Sequence, residues 1–338
     1  MKKLLKSPTF NIGLLAVITY FVYKLTLDQN LKETLQIISE AHLGWMLLSF
    51  LSVFCMFFVW GQGIQTYTNL IGGQINSIQS LNITLIGAFG SGITPAATGG
   101  QLFQAVAFRR LNISYAQAAS ILWLDFLLYQ IVMISMVFIL LVLKLSYILN
   151  ISGLFTMVLF GFLLNSLVLV VLFVLAKSQG LHHWLANRGI YSLHRLKLVK
   201  NPQESMKKLE GSLQRFRDSM ALLLKNKKVL MIGLITNVVR LILYFILPYL
   251  IAKALRAPVL RSDIYNMMAL ASFVMMINVF IPLPGASGGT ELTFLSMFAT
   301  VVDHIYLSPL VLIWRFLSYY LIIIVGALIF LYYKRRAV

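Results

Sequence analysis

Six stretches of this chain, residues 9–27, 43–64, 115–143, 150–176, 229–252 and 308–333, are apolar over the length of a membrane crossing. A helix needs about 20 such residues to pass the hydrocarbon core. No other feature constrains the fold as tightly. In lipid every backbone N–H and C=O must find its partner inside the protein, and runs of this kind satisfy that rule as helices. Composition agrees: hydrophobic residues are 59% of the 338 and mean hydropathy is +0.86, beyond the roughly 45–50% apolar usage of soluble domains. Nothing reads as an appended soluble domain, so residues 1–338 are expected to form a single integral membrane domain.

The beginning, MKKLLK ahead of an apolar run, imitates a secretory signal. No small-x-small cleavage site follows, however, and Lys24 sits near the end of the run. The expectation is an uncleaved first span. Cys55 is the single cysteine and lies within an apolar segment, which excludes an intramolecular disulfide framework.

Two further apolar segments, about 81–106 and 264–302, are interrupted by TPAATGGQ at 94–101 and LPGASGGT at 283–290. Proline cannot continue a helix through its missing amide, and paired glycines permit a close turn. Each half is short for a crossing, while each whole is long enough for two half-helices that enter and leave on one face. Such backbone is tolerated at membrane depth where it is buried in protein or lines a cavity. Pro95, Gly99 and Gly100 in the first segment, and Pro282, Pro284, Gly285, Gly288 and Gly289 in the second, are the expected hinge residues.

The net charge of +18 would point to nucleic acid in a soluble protein. In a membrane chain it reads as cytoplasmic loops collecting Lys and Arg, and no nucleic-acid partner is expected. With both interrupted segments taken as re-entrant hairpins and the N-terminus in the cytoplasm, Lys2, Lys3, Lys6, Arg109, Arg110, the segment 177–228, Lys334, Arg335 and Arg336 all fall inside. That is twenty of the 28 Lys and Arg residues. The loop 28–42, with Asp28, Glu33 and Glu40 against Lys32, falls outside. Lys253, Arg256 and Arg261 run against the rule. Both termini are thus expected in the cytoplasm.

The basic loop 177–228 carries its own pattern. Met206, Leu209, Leu213, Phe216, Met220 and Leu223 recur at helical spacing, with Lys207, Lys208, Arg215 and Arg217 between them. This is an amphipathic helix that lies either on an anionic membrane surface or on the cytoplasmic end of the bundle. His182, His183 and His194 in the same region have no carboxylate or cysteine at ligand spacing and are read as surface residues, not a metal site.

Set against each other at an offset of 189, the two motifs pair Pro95 with Pro284, Ala97 with Ala286, Thr98 with Ser287, and Gly99–Gly100 with Gly288–Gly289. The offset carries the start of span 43–64 into span 229–252. With a two-residue gap, Trp123-Leu124-Asp125-Phe126-Leu127 faces Trp314-Arg315-Phe316-Leu317. Each half reads as span, hairpin, span, about 43–143 and about 229–333, and the charge-derived topology makes them opposite in orientation. The fold expected is therefore all-α and polytopic: an inverted repeat with about six full spans plus two re-entrant hairpins, a plan that places substrate near the midplane. Thr98 and Gln101 have capping-box spacing, and Ser287 or Gly288 can start the second returning helix. Both tips would then present helix N-termini suited to an anionic group.

Ionisable residues at membrane depth are costly and are functional candidates by default. Arg240, near the centre of its span, is a bidentate partner for phosphate or carboxylate. Glu291 follows the second Gly-Gly in the first turn of a helix. Asp125 and Arg315 occupy corresponding places in the two halves. Arg240 and Arg315 are expected to meet an anionic headgroup, with Glu291 and Asp125 coupling its passage to protons or gating; the alternative is two structural ion pairs. No catalytic constellation, metal spacing or nucleotide loop is present, so neither catalysis nor a cofactor is expected.

TPAATGG with downstream Phe108-Arg109-Arg110, and PLPGASGGTE at 282–291, make the chain resemble the membrane (flippase) region of the lysylphosphatidylglycerol synthase/flippase family and its stand-alone relatives. The resemblance covers essentially the whole chain, and with the sequence ending at KRRAV the synthase domain of longer members is expected to be absent. It implies a flippase that moves an anionic or aminoacylated phospholipid, or a lipid-linked intermediate, between leaflets of a bacterial cytoplasmic membrane. Membrane phospholipids are the partners implied, with a homo-oligomer and a separate lipid-modifying enzyme left open. The competing readings are a non-transporting accessory or scaffold subunit of a lipid-modifying system, and an ion-coupled carrier of a small anion.

Overall fold

The computed structural model describes residues 31–145, 149, 154–177, 202–278 and 281–335. Every regular element among them is helical. The expected span 9–27 and the three histidines at 182, 183 and 194 lie outside the described residues.

Helix α1 (Leu31–Ser39) occupies part of the expected external loop 28–42. The long α2 (Leu43–Leu70) follows, then the first interrupted segment as α3 (Ser77–Gly92), a tight turn at Pro95–Ala97 and α4 (Gly100–Arg110). Helix α5 (Tyr115–Leu143) returns, α6 (Leu154–Lys177) covers most of the expected span 150–176, and α7 is Pro202–Lys225. The second half runs α8 (Lys227–Phe245), α9 (Leu247–Ala254), α10 (Asp263–Ile277), a tight turn at Pro284–Ala286 and α11 (Gly289–Phe298). It closes with α12 (His304–Arg315), a π-type turn at Phe316–Tyr320 and α13 (Leu321–Arg335).

Four stretches among the described residues are long and apolar enough to cross a membrane: Leu43–Leu70, Tyr115–Leu143, Lys227–Ala254 and His304–Tyr333. Polar caps mark where the apolar runs begin. Asn76 and Gln79 form a capping box that opens α3, and Ser114 with Gln117 opens α5. Asn226 caps α8 by accepting from the Val229 amide at 3.1 Å. Pro248 follows immediately where α8 gives way to α9, because it cannot continue the ladder.

The outward faces are apolar. Phe50, Leu51 and Phe54 on α2, and Leu163, Leu167 and Val170 on α6, are all exposed, as lipid-facing surfaces require. Inside, large rings pack: Phe294 stacks on Phe298 at 4.0 Å and on Trp314 at 4.6 Å. Where lipid supplies no hydrophobic drive between helices, small residues let backbones approach. A Cβ on Gly326 of α13 would stand 2.4 Å from the Leu85 carbonyl of α3.

Helix α2 packs on α8, the two hairpin turns pack on each other, α3 packs on α13, and α10 packs on α5. The amphipathic helix predicted in the basic loop is α7. It packs on α5, α8 and α2, with Met220 and Leu223 buried and Leu209, Leu213 and Phe216 half-buried.

Candidate functional site

The two hairpin turns share a left-handed backbone at two consecutive paired positions and then diverge: Thr98 is helical (ψ −18°) where Ser287 is extended (ψ 143°), and Gly99 has φ −81° where Gly288 has φ 87°. Ala96 (φ 50°) corresponds to Gly285 (φ 59°), and Ala97 (φ 55°) to Ala286 (φ 52°). Left-handed conformations are uncommon for alanine, so both turns hold conformations that their surroundings must maintain. The first turn is exposed from Pro95 to Thr98, while Pro284 of the second is buried.

The start of α4 differs from expectation. Thr98 Oγ donates back to the Pro95 carbonyl at 3.0 Å, and no side-chain cap joins it to Gln101. Thr94 does that work instead: its hydroxyl donates to the Gly90 carbonyl at 2.7 Å and accepts from the Gly99 amide at 2.8 Å. One hydroxyl thereby ties the end of α3 to the start of α4. The second returning helix begins as expected at Gly288, whose amide is bound by Glu291 Oε2 at 2.7 Å.

The carboxylate of Glu291 is shared. Its other oxygen accepts from Arg315 Nε at 2.7 Å, and both residues are buried. Arg315 also donates to the Gly285 carbonyl at 3.1 Å. This clasp ties α12 to the second turn and to the first amide of α11, packed against the Trp314–Phe294 stack. Of the two structural ion pairs weighed for the four charged residues, this one forms.

The other two charges are arranged differently. Asp125 Oδ2 accepts from the Trp60 indole N–H at 2.8 Å, and the Arg240 guanidinium lies 3.7 Å from the centre of the same indole. Tyr129 offers Arg240 a second ring at 4.8 Å. The Asn237 amide oxygen is 3.5 Å from Arg240, at the outer limit of a hydrogen bond. Among the described residues no carboxylate stands in ion-pairing range of Arg240, and its side chain is half-buried. Aromatic faces stabilise a desolvated cation while leaving the N–H edges of the guanidinium free to bind a ligand.

Two cavities meet at this cation. One, about 280 Å³, runs past Trp60, Tyr129 and Arg240 to Gly92, Gly285 and Tyr319. The other, about 480 Å³, passes Arg240 and Asp125 towards Thr98, Gln101 and Gln104. A third, about 440 Å³, lies between the turns at Ala97 and Ala286. The crevice therefore unites Arg240, Asp125, Thr98 and Gln101, whereas Glu291, Arg315 and the buried Ser287 sit behind the second turn. Trp60, Tyr129 and Tyr319 were not read from the sequence. Tyr319 donates to the Gly92 carbonyl at 2.9 Å, crossing from one half of the chain to the other. Tyr129 makes the reciprocal crossing, to Met275 Sδ at 3.4 Å.

Membrane-length helices around two broken helical hairpins, with a cationic crevice between the turns, define a multi-pass α-helical membrane protein. Residues 11–326 match the family described as the lysylphosphatidylglycerol synthase TM region. The chain belongs to that family. It is also 25% identical over 329 residues to a UPF0104 membrane protein of Archaeoglobus fulgidus, covering 94% of each chain.

Proposed function

We propose that this protein is a lipid flippase, in which the crevice at Arg240 carries a phospholipid headgroup past the two hairpin turns while the acyl chains stay in the bilayer. The observation that carries the reading is Arg240 itself: a cation at the middle of a span, held by rings, with no carboxylate in ion-pairing range among the described residues. A structural arginine at that depth would be expected to sit on a counter-charge, as Arg315 does. A phosphate group is the natural bidentate ligand for the guanidinium edges that remain. Membership in a family named for a lipid synthase points the same way.

The inverted-repeat plan is supported by reciprocal contacts. The first arm of each hairpin, α3 or α10, packs on the closing helix of the other half, α13 or α5. Tyr319, just ahead of α13, and Tyr129 of α5 each make a hydrogen bond from one half of the chain to the other. The paired left-handed residues of the turns fit the same two-fold relation. In this reading the second turn, clasped by Glu291 and Arg315, is the fixed wall, and the exposed first turn is the moving one. The same reading takes both termini to lie in the cytoplasm and the membrane to be the inner membrane of a bacterial cell, with no catalysis by the chain itself.

The test is leaflet exchange of fluorescent phospholipids in vesicles that hold the purified protein. Exchange above that of protein-free vesicles supports the proposal. Exchange equal to theirs, with intact folded protein, overturns it in favour of an accessory subunit or a small-anion carrier.

A further inference from the structure

The Phe108-Arg109-Arg110 sequence takes no part in the crevice, yet its two arginines line another cavity of about 640 Å³. We infer that this cavity is a second binding site, for the phosphate headgroup of an anionic phospholipid at the membrane surface. Three elements far apart in the chain build it. Arg109 and Arg110 come from the last turn of α4, Ile78, Gln79 and Asn82 from the first turns of α3, and Tyr332 and Tyr333 from the end of α13.

The arginines are held in place from behind. Phe108 is fully buried, and its carbonyl accepts from the amides of Leu111 and Ile113 at 2.9 and 3.1 Å. Asn112 takes the left-handed conformation that closes the helix (φ 62°). The two guanidinium-bearing side chains therefore project from a fixed turn and are exposed. Cations at a helix C-terminus complement its dipole and need no ligand to explain them. What points further is the rest of the lining: Gln79 and Asn82 of α3 and Tyr332 and Tyr333 of α13 bring polar groups to the same space as the two guanidinium groups, a basic pocket between helices of the kind that holds lipid headgroups. Among the described residues no carboxylate lines the cavity, so the charged side chains around it favour an anion.

The rim identifies the source of that anion. Ile78 is 70% exposed at one edge and Tyr332 51% at another, and Leu328 and Leu331 are exposed beside Tyr332 on α13. Tyrosines mark the headgroup level of a bilayer, and an apolar flank below a basic pocket accommodates acyl chains. A free phosphate would need the arginines but not this flank.

The experiment titrates the purified full-length chain in neutral detergent with dioctanoyl phosphatidylglycerol, dioctanoyl phosphatidylcholine and inorganic phosphate, counting retained ligands by native mass spectrometry. It is run in the wild type and in Arg240→Ala, so that binding at the crevice is separated from binding here. In both backgrounds Arg109→Ala with Arg110→Ala is expected to weaken one phosphatidylglycerol site by about twentyfold. Replacing both by lysine should keep most of that affinity. Unchanged phosphatidylglycerol binding in the alanine variant would overturn the inference, as would equal retention of phosphatidylcholine. A loss shared by the lysine variant would contradict charge recognition. Displacement of the lipid by an equal concentration of phosphate would overturn the assignment to a lipid.

Discussion

The guanidinium of Arg240 rests 3.7 Å from the centre of the Trp60 indole, and the edge of that indole is bound to Asp125. Trp60 thus stands between the cation and the carboxylate: its face holds one and its N–H orients the other. The two charges line one crevice without forming an ion pair, an arrangement that keeps the guanidinium edges open to a ligand.

The Trp60–Asp125 hydrogen bond involves a charged acceptor and should therefore show measurable coupling. A double-mutant cycle of Trp60→Phe and Asp125→Asn is expected to give a coupling energy of about 1–2 kcal/mol in thermal or denaturant unfolding. Additive effects would show that the two side chains do not depend on each other.

Removing one partner of the Glu291–Arg315 clasp leaves the other buried without compensation. Glu291→Gln is expected to destabilise the protein by about 3–5 kcal/mol. Adding Arg315→Met should recover much of that loss, since the uncompensated cation goes with it. Melting temperatures in detergent measure both. A Glu291→Gln protein as stable as wild type but inactive in transport would return Glu291 to the role of a substrate or proton-coupling group.

Gly285 and Ala96 share a left-handed backbone but not an environment. A Cβ on Gly285 would stand 2.2 Å from the Tyr319 ring, while Ala96 already carries one on an exposed turn. Gly285→Ala is expected to cost about 1–3 kcal/mol through overpacking, and Tyr319→Ala in the same chain should relieve the clash. Ala96→Gly should fold normally. A Gly285→Ala protein of unchanged stability would mean that the second turn shifts freely.

The broad plan is legible in the residues because the bilayer demands it: long apolar runs must be helices, and Pro-x-Ala-Thr/Ser-Gly-Gly cannot continue one. Arg240 and Asp125 stand out for the same reason, as charges where charge is costly. What their letters do not carry is who faces whom. Trp60 is one aromatic residue in an apolar run, Tyr129 and Tyr319 are others, and only the packing of distant helices turns them into a cradle and two crossings. Thr98 has the spacing of a cap, but Thr94 sits where its hydroxyl reaches both Gly90 and Gly99, so local geometry favours the earlier residue. The periodicity of α7 specifies an apolar face and not its partner; the neighbouring bundle supplies the partner.

If the first turn moves against a fixed second turn, joining them should stop transfer without unfolding the protein. Cysteines at Ala97 and Ala286, in a chain with Cys55→Ser, can be linked by a short bis-maleimide. The linked protein is expected to lose at least about nine-tenths of its leaflet-exchange rate, an effect of more than 1.4 kcal/mol on the barrier, while the unlinked double cysteine keeps its activity. Undiminished exchange in fully linked protein would show that the turns need not separate.

The most direct test compares wild type, Arg240→Lys and Arg240→Ala for leaflet exchange of a fluorescent anionic phospholipid in vesicles at matched incorporation, with melting temperature recorded for each. Arg240 makes no ion pair among the described residues, so its removal should leave folding largely intact. Exchange by Arg240→Ala is expected to be at least about tenfold slower than wild type, with Arg240→Lys in between. Wild-type exchange rates in a normally folded Arg240→Ala protein would contradict that expectation.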